Sequence, residues 1–292
     1  MKYGVSLPNF GVFGDARLLA NLACDAEQAG WDGFFLWDHI LFCELDKNPN
    51  VDPWIALAAI AMQTEKILIG TLITPLARRR PWKVARETVS LQNLSDGRLI
   101  LGVGLGAPVE WDFKFFGEET DPKICAQKLD EGLDILQGLW TGEPFRYTGK
   151  HYQLEEMTFL PIPCKPIPIW VGGGWPNKAP FRRAARYDGL FPQPADFNAR
   201  NLTPEDWRAI LAYVRQHRTS SAPFDRLQYG ITPANRAEYT KIIAPYAEVG
   251  VTWWIEDISP FQLGLGWMDF WKPWDVDKLR ERILQGPPRI ES

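Results

Sequence analysis

Three groups of residues in this chain carry types and spacings suited to chemistry. The first is Gly172-Gly173-Gly174, which follows the apolar run Ile167–Val171 and precedes a basic, helix-like segment from Pro176 to Arg186. Successive glycines let main-chain N–H groups converge, and a helix start adds the positive end of its dipole, which together suit an anion such as phosphate. A tight turn serving only close helix–strand packing has the same spacing, so both readings stand on the residues alone. The second group is Asp38-His39, at the end of the run Gly33–Trp37. An imidazole titrates near neutrality and can hydrogen-bond a ligand or carry a proton, with Asp38 as its partner or as a helix cap. The third group is a pair of separated carboxylates. Glu110 lies four residues past Gly106, and Glu256 lies beside Trp253 and Trp254; either is a candidate acid or base, and a salt bridge is the plainer role for Glu256.

Cations and aromatic rings surround these groups. Arg78-Arg79-Arg80 precede Pro81, where positive charge opposes the dipole of a helix beginning there. They are expected either to be solvated or to meet an anion. Lys178 is the cation nearest the glycines. Fourteen tryptophans are more than a core usually absorbs, so Trp37, Trp54, Trp175, Trp254 and Trp267 are candidate walls for a flat ligand. Gly264-Leu265-Gly266-Trp267 has the composition of a loop that closes over a site.

The elements that must position these residues alternate regularly. Predicted strands run over Lys2–Leu7, Gly33–Trp37, Ile67–Ile73, Arg98–Val103, Ile167–Val171, Gly189–Phe191, Leu227–Ile231 and Thr252–Glu256. Between and after them, helical periodicity predicts helices at Ala16–Ala29, Pro53–Thr64, Pro81–Leu94, Lys123–Trp140, Pro176–Arg186, Pro204–Arg215, Arg236–Ala247 and Val276–Leu284. Asp52 before Pro53 and Thr203 before Pro204 read as N-caps. Tyr147–Tyr152 reads as a hairpin inserted before the fifth strand. Eight strand–helix units imply parallel strands with helices outside, an α/β fold of (β/α)8 barrel type occupying residues 1–292 as one domain, with an open doubly wound sheet as the runner-up. In a barrel, chemistry belongs at the carboxyl ends of the strands.

Composition narrows the partners. The 292 residues carry a formal net charge of −4, which gives no attraction to nucleic acid or to an anionic membrane surface. No apolar run is long enough to span a bilayer, and Met1–Val5 leads straight into a strand without a signal-peptide layout, so a cytoplasmic protein is expected. Four scattered cysteines and three histidines predict free thiols and no metal site.

Five pieces in order resemble the bacterial luciferase-like family of flavin- and deazaflavin-dependent oxidoreductases. They are Gly4-Val5-Ser6-Leu7-Pro8-Asn9, Leu36-Trp37-Asp38-His39, Thr71-Leu72-Ile73-Thr74-Pro75, Asp96–Gly104 with Leu105-Gly106 following, and Gly172–Gly174. The resemblance covers Met1 to about Phe191 and thins afterwards. It implies FMN or coenzyme F420 lying across the barrel mouth, with its phosphate near Gly172–Gly174 and Lys178. It further implies ring contacts from Asn9, Trp37, Thr71, Leu72, Gly104, Gly106 and Trp175, and a non-prolyl cis peptide at Thr71–Leu72. His39 takes the family's functional histidine position, with Asp38 and Glu110 as further catalytic candidates; the family's glutamate falls closer to Ala107 than to Glu110. Trp254, Glu256 and Trp267 are left to face a small organic substrate, whether hydride transfer or oxygenation is the reaction. A separate reductase or NAD(P)H would be a diffusible partner, since no dinucleotide fold is visible, and a homodimer is expected. Two other functions remain open: a flavin-binding protein without turnover, and a barrel glycosidase using Glu110 and Glu256.

Overall fold

The computed structural model describes residues 1–42, 48–196, 201–266 and 272–290. In chain order the elements are β1 (Lys2–Leu7), α1 (Ala16–Gln28), β2 (Gly33–Leu36), α2 (Pro53–Gln63), β3 (Leu68–Pro75), α3 (Pro81–Leu94), β4 (Leu99–Gly104) and a four-residue α4 (Val109–Asp112). There follow α5 (Pro122–Trp140), β5 (Phe145–Thr148), β6 (Gln153–Met157), β7 (Ile169–Trp175), α6 (Ala179–Ala184) and β8 (Gly189–Pro194). The chain continues through α7 (Pro204–His217), β9 (Asp225–Gly230), α8 (Arg236–Glu248), β10 (Trp253–Asp257) and α9 (Val276–Leu284). Eight strands close into a barrel in the order β1-β10-β9-β8-β7-β4-β3-β2, every neighbour pair parallel, while β5 and β6 form a separate antiparallel hairpin. Closure is direct: Lys2 to Ser6 of β1 pair with Trp253 to Asp257 of β10.

Local sequence explains the helix starts. Asp15, Asp52, Asp121 and Asn235 each accept main-chain N–H groups of the first turn, and Thr203 forms a capping box with Asp206. Proline holds the first turn of α2, α3, α5 and α7. The expected eleven-residue helix after the glycines is shorter. β7 continues to Trp175, a turn closed by Asn177 N on Gly174 O follows, and α6 spans only Ala179–Ala184.

Two apolar layers result from strand alternation. One lies between strands and helices. The other fills the barrel with Phe35, Leu72, Ile100, Trp170, Phe191, Leu227, Trp253 and Ile255. Trp170 and Trp253 meet edge to face at 5.2 Å, and Phe35 tilts against Trp170 at 5.3 Å. These rings plug the interior, so access is restricted to the mouth. Small residues make room for them: a Cβ on Gly189 would sit 2.5 Å from the Trp170 ring.

Among the described residues, more than half of the tryptophans are core. Trp31, Trp54, Trp170, Trp207, Trp253, Trp254 and Trp274 are all buried. Among the described candidates, only Trp37 and Trp175 stay half-buried.

Candidate active site

At the carboxyl rim, His39 follows the end of β2 and turns toward the loop after β4. Its Nδ1 lies 2.7 Å from Asp112 Oδ2. Burial pushes the Asp112 carboxyl up, but the hydrogen bond and charge attraction of His39, the Arg78 guanidinium and the Leu41 N–H outweigh it and hold the group below its usual range. Asp112 is thus an acceptor, and His39 Nδ1 carries the hydrogen between them, which leaves Nε2 as the ring nitrogen available for proton transfer. Asp112 also accepts the N–H groups of Ile40 and Leu41, at 2.8 and 3.1 Å. One carboxylate therefore fixes both the ring and the loop that bears it.

Arg78 ties this carboxylate to the next. Its Nη1 is 2.9 Å from Asp112 Oδ1 and its Nη2 is 3.1 Å from Asp38 Oδ1, while Arg79 Nη2 reaches Asp38 at 2.6 Å. Both carboxylate side chains are fully buried. Arg78 and Arg79 are therefore neither solvated nor turned to an external anion, whereas Arg80 is exposed and lies over the Trp82 ring. Arg78 and Arg79 meet the protein's own Asp38 and Asp112, which resolves the conflict with the helix dipole. Asp38 is occupied by these guanidinium groups, not by His39.

Asn9 supports the same loop. Its Oδ1 accepts from His39 N at 3.1 Å, and its Nδ2 donates to His39 O and Val51 O, both at 2.8 Å, and to Asn50 Oδ1 at 2.9 Å. Its side chain holds the His39 main chain in place. Aromatic rings enclose the imidazole: Phe10, Trp37 and Phe42 lie edge-on at 5.7, 5.9 and 5.2 Å. Trp37 Nε1 donates to Ser6 Oγ at 3.1 Å.

The facing wall is built from β3, β4 and β7. The non-prolyl cis bond is Leu72–Ile73, one residue beyond the expected Thr71–Leu72, and the β3–β4 register shifts between Thr71 and Thr74 at this point. Thr71 points outward and pairs with Thr74 Oγ1 at 2.9 Å, whereas Leu72 and Ile73 join the barrel-filling cluster. Ile73 lies where added Cβ atoms on Gly104 and Gly172 would come within 2.9 and 3.1 Å of it. Gly106 adopts φ +86°, closing the end of β4 against Pro75 and Phe113.

Gly172–Gly174 do not form a turn; they continue β7 in extended conformation. They pair with Phe191, Pro192 and Gln193 of β8, while the pairing with β4 ends at Val103–Val171. From Gly172 onward the β4-facing edge of this main chain has no strand partner, and it is half-buried at the mouth. Gly173 is required by packing, since its Cβ would strike Pro180. Lys178 Nζ lies 3.8 Å above the Trp175 ring and 4.9 Å from that of Tyr213.

Two expected substrate contacts face the wrong way. Along β10, Trp253 and Ile255 fill the barrel and Trp254 joins the outer layer, with its ring 5.8 Å from that of Tyr246. Glu256, on the same outward face, receives Thr232 N and Thr232 Oγ1 at 2.8 Å and Trp254 Nε1 at 2.9 Å, and lies 3.3 Å from Arg282 Nε. Burial raises its pKa despite those partners. Its role is to tie the barrel to α9. Glu110 is also displaced: it is exposed and paired with Lys114 at 2.9 Å. The carboxylates of the proposed glycosidase pair thus share no site. Trp267 lies outside the described residues, as does the end of the loop expected to cover the mouth.

Asp112 and Arg78 complete the site without having been singled out as its centre. The signal for Asp112 was present two residues beyond Glu110. On a helix, two residues turn by about 200°, so only one of the pair can face His39.

The sequence profile of the luciferase-like monooxygenase family matches residues 1–232. The F420-dependent glucose-6-phosphate dehydrogenase of Nakamurella multipartita is 32% identical over 168 residues, covering 56% of this chain and 48% of that protein. The F420-dependent hydroxymycolic acid dehydrogenase of Mycobacterium tuberculosis is 33% identical over 193 residues, covering 64% and 51%. The matched region thus spans about half the length of these curated relatives. Among solved structures, an F420-dependent secondary alcohol dehydrogenase in complex with an F420–acetone adduct superposes with a TM-score of 0.76 at 17% identity, covering 97% of both chains. The F420-dependent tetrahydromethanopterin reductase of Methanopyrus kandleri gives 0.74 at 16% identity with the same coverage. These structures share the fold of this protein. The chain belongs to the luciferase-like monooxygenase family.

Proposed function

We propose that this protein is an oxidoreductase that binds a deazaflavin or flavin across the barrel mouth and moves a hydride between it and an organic substrate. The observation that carries the reading is His39, locked through Nδ1 by the buried Asp112 and placed at the end of β2 on the same barrel rim as the glycine-rich ends of β4 and β7. Gly104 and Gly172, on either side of Ile73, bring main chain without Cβ atoms to the mouth, and the β4-facing edge of Gly172–Gly174, which no strand pairs, offers main-chain groups to a phosphate tail, so the residues present fit such a group. The sequence relatives named above favour F420 over FMN.

When bound, the ring accepts or donates the hydride. His39 takes the proton from a substrate hydroxyl as hydride leaves its carbon, or returns it in the reverse direction. Asp112 holds the imidazole in one tautomer and stabilises its cationic form, the division of labour familiar from hydrolase triads. Arg78, Arg79 and Asp38 keep that carboxylate in place. Phe10, Trp37 and Phe42 exclude water from the ring edge. Uncharged apolar alcohols or ketones suit this lining best. Exposed Ile55 and Met62 on α2, at 65% and 70% of full exposure, support a homodimer through the helix layer. Among the described residues, no helix is long and apolar enough to cross a membrane.

The test is turnover. With F420 and a panel of secondary alcohols, bleaching of the oxidised cofactor's visible band is expected, with His39→Ala about 10²- to 10⁴-fold slower. Parallel FMN reactions, with and without oxygen, separate a reductase from a monooxygenase. Tight cofactor binding with no turnover in either series would leave a flavin-binding protein and refute the enzyme reading.

A further inference from the structure

Across the barrel from the glycine wall lies a second buried polar group that the reading above does not use. In the closed order of strands, β10 stands opposite β4 and β9 stands opposite β3. Asp257 ends β10 two residues after the inward Ile255, and Tyr229 lies on β9 two residues after the inward Leu227. Both side chains therefore face the interior at the upper end. Asp257 pairs in register with Ser6, whose hydroxyl receives Trp37 Nε1. The Tyr229 ring packs edge-on to Phe191 at 5.8 Å.

Asp257 is only 2% exposed and faces Tyr229 and Ser259, and the Tyr229 hydroxyl also faces Ser6 and Trp37; within this group neither Asp257 Oδ1 nor the Tyr229 hydroxyl closes a well-formed hydrogen bond. Buried polar atoms are nearly always satisfied, and those that are not call for an explanation. Burial drives the Asp257 carboxyl up to about 7 against the partial opposition of Ser259 and Tyr229, and it drives the Tyr229 hydroxyl well above its ordinary value. Below pH 7 that carboxyl holds its proton and is both donor and acceptor, as is a phenol; above it the carboxylate remains an acceptor beside the phenol donor. Two such groups side by side suit a two-atom edge better than a lone oxygen, and the neighbouring rings of Trp37, Phe191 and Tyr229 suit a planar entrant.

We propose that Asp257 and Tyr229 form a recognition pair for an uncharged N–H/C=O edge of a planar heterocycle entering the barrel mouth. This rests on the cofactor reading, because the pyrimidine end of a flavin or deazaflavin carries an N–H between two carbonyls. It adds a polar end wall to the glycine wall and assigns that wall a ligand chemistry.

The experiment is equilibrium titration of the whole protein with FMN and with 3-methyl-FMN, in which the ring N–H is replaced, read by fluorescence quenching. The native protein is expected to favour FMN by about tenfold, the scale of one lost hydrogen bond at a buried polar site. Asp257→Leu and Tyr229→Phe are each expected to reduce that ratio to about two. Asp257→Asn, which keeps a donor and an acceptor, is expected to restore it. Equal affinity of the native protein for both rings, or a full tenfold ratio surviving in both Asp257→Leu and Tyr229→Phe, overturns the proposal. If only F420 binds, its affinity becomes the readout: about tenfold loss in those two variants supports the pair, and unchanged affinity refutes it. Failure to bind either F420 or FMN contradicts the cofactor reading itself and the proposal with it. Retained FMN binding without discrimination refutes the pair alone.

Discussion

Replacing Asp112 by Asn keeps the shape of the side chain and removes its charge. The loss is large because the carboxylate is fully buried and has four partners: His39 Nδ1, the N–H groups of Ile40 and Leu41, and Arg78. Asn retains one oxygen, which can still accept from Ile40 and Leu41. It leaves the buried Arg78 guanidinium with Asp38 as its remaining anion, 3.1 Å away. Breaking a buried ion pair costs about 3–5 kcal/mol. The surviving Asp38 contact places the expected loss near the lower end, at about 3 kcal/mol, or about 5 °C in melting temperature for a chain of 292 residues. Urea unfolding at neutral pH measures it, and ¹⁵N spectra of labelled histidine report the tautomer. The Asn Nδ2–H₂ now faces the imidazole, so His39 Nδ1 is expected to become an acceptor and Nε2 to carry the hydrogen. A loss below about 1 kcal/mol with Nδ1 still protonated would refute the view that Asp112 holds the histidine.

Three further perturbations follow from the geometry. Glu110→Gln is expected to change stability by less than about 0.5 kcal/mol and leave turnover intact, because the side chain is exposed and paired only with Lys114; a turnover collapse would return Glu110 to the site. Asp257 has a folded pKa of about 7 against 3.8 for the free group. Its contribution is therefore fully present below pH 3.8 and is lost as pH rises through 7, about 4 kcal/mol over the whole interval. Asp257→Asn removes this titration, so its urea midpoint should gain on the native protein from pH 4 to pH 8, and parallel pH profiles would contradict the assignment. Gly173→Ala drives a methyl group into Pro180 and is expected to cost about 1–3 kcal/mol by overpacking, read from thermal unfolding.

The barrel was legible because strand and helix periods alternate without ambiguity, and because prolines and short polar caps mark the helix starts. The rim histidine was legible as well, since Asp38-His39 sits where a strand must end. What resisted reading was the direction of side chains. Trp253-Trp254-Ile255 is apolar without alternation, so nothing in it shows that Trp253 fills the barrel while Trp254 and Glu256 face the helices. Asp257, the inward carboxylate, is hidden by its neighbour for the same reason. The three glycines suggested a turn, but β8 offers pairing partners through Gln193 and the strand simply continues. Arg78 and Asp112 are separated by thirty-four residues, and only the closing of the β3 and β4 ends brings them within 2.9 Å. The cis bond fell one residue later than its motif suggested, where the β3–β4 register breaks.

The central claim is that the glycine-lined mouth beside His39 holds a flat redox ring. Its most direct measurement is spectral titration of the native protein with F420 and with FMN, alongside His39→Ala and a variant that fills the wall, Gly172→Leu. The account expects saturable binding of one ring per chain in the native protein, little change in His39→Ala, and severe loss in Gly172→Leu with the fold retained by circular dichroism. Absence of binding by both cofactors, or undiminished binding in Gly172→Leu, would contradict it.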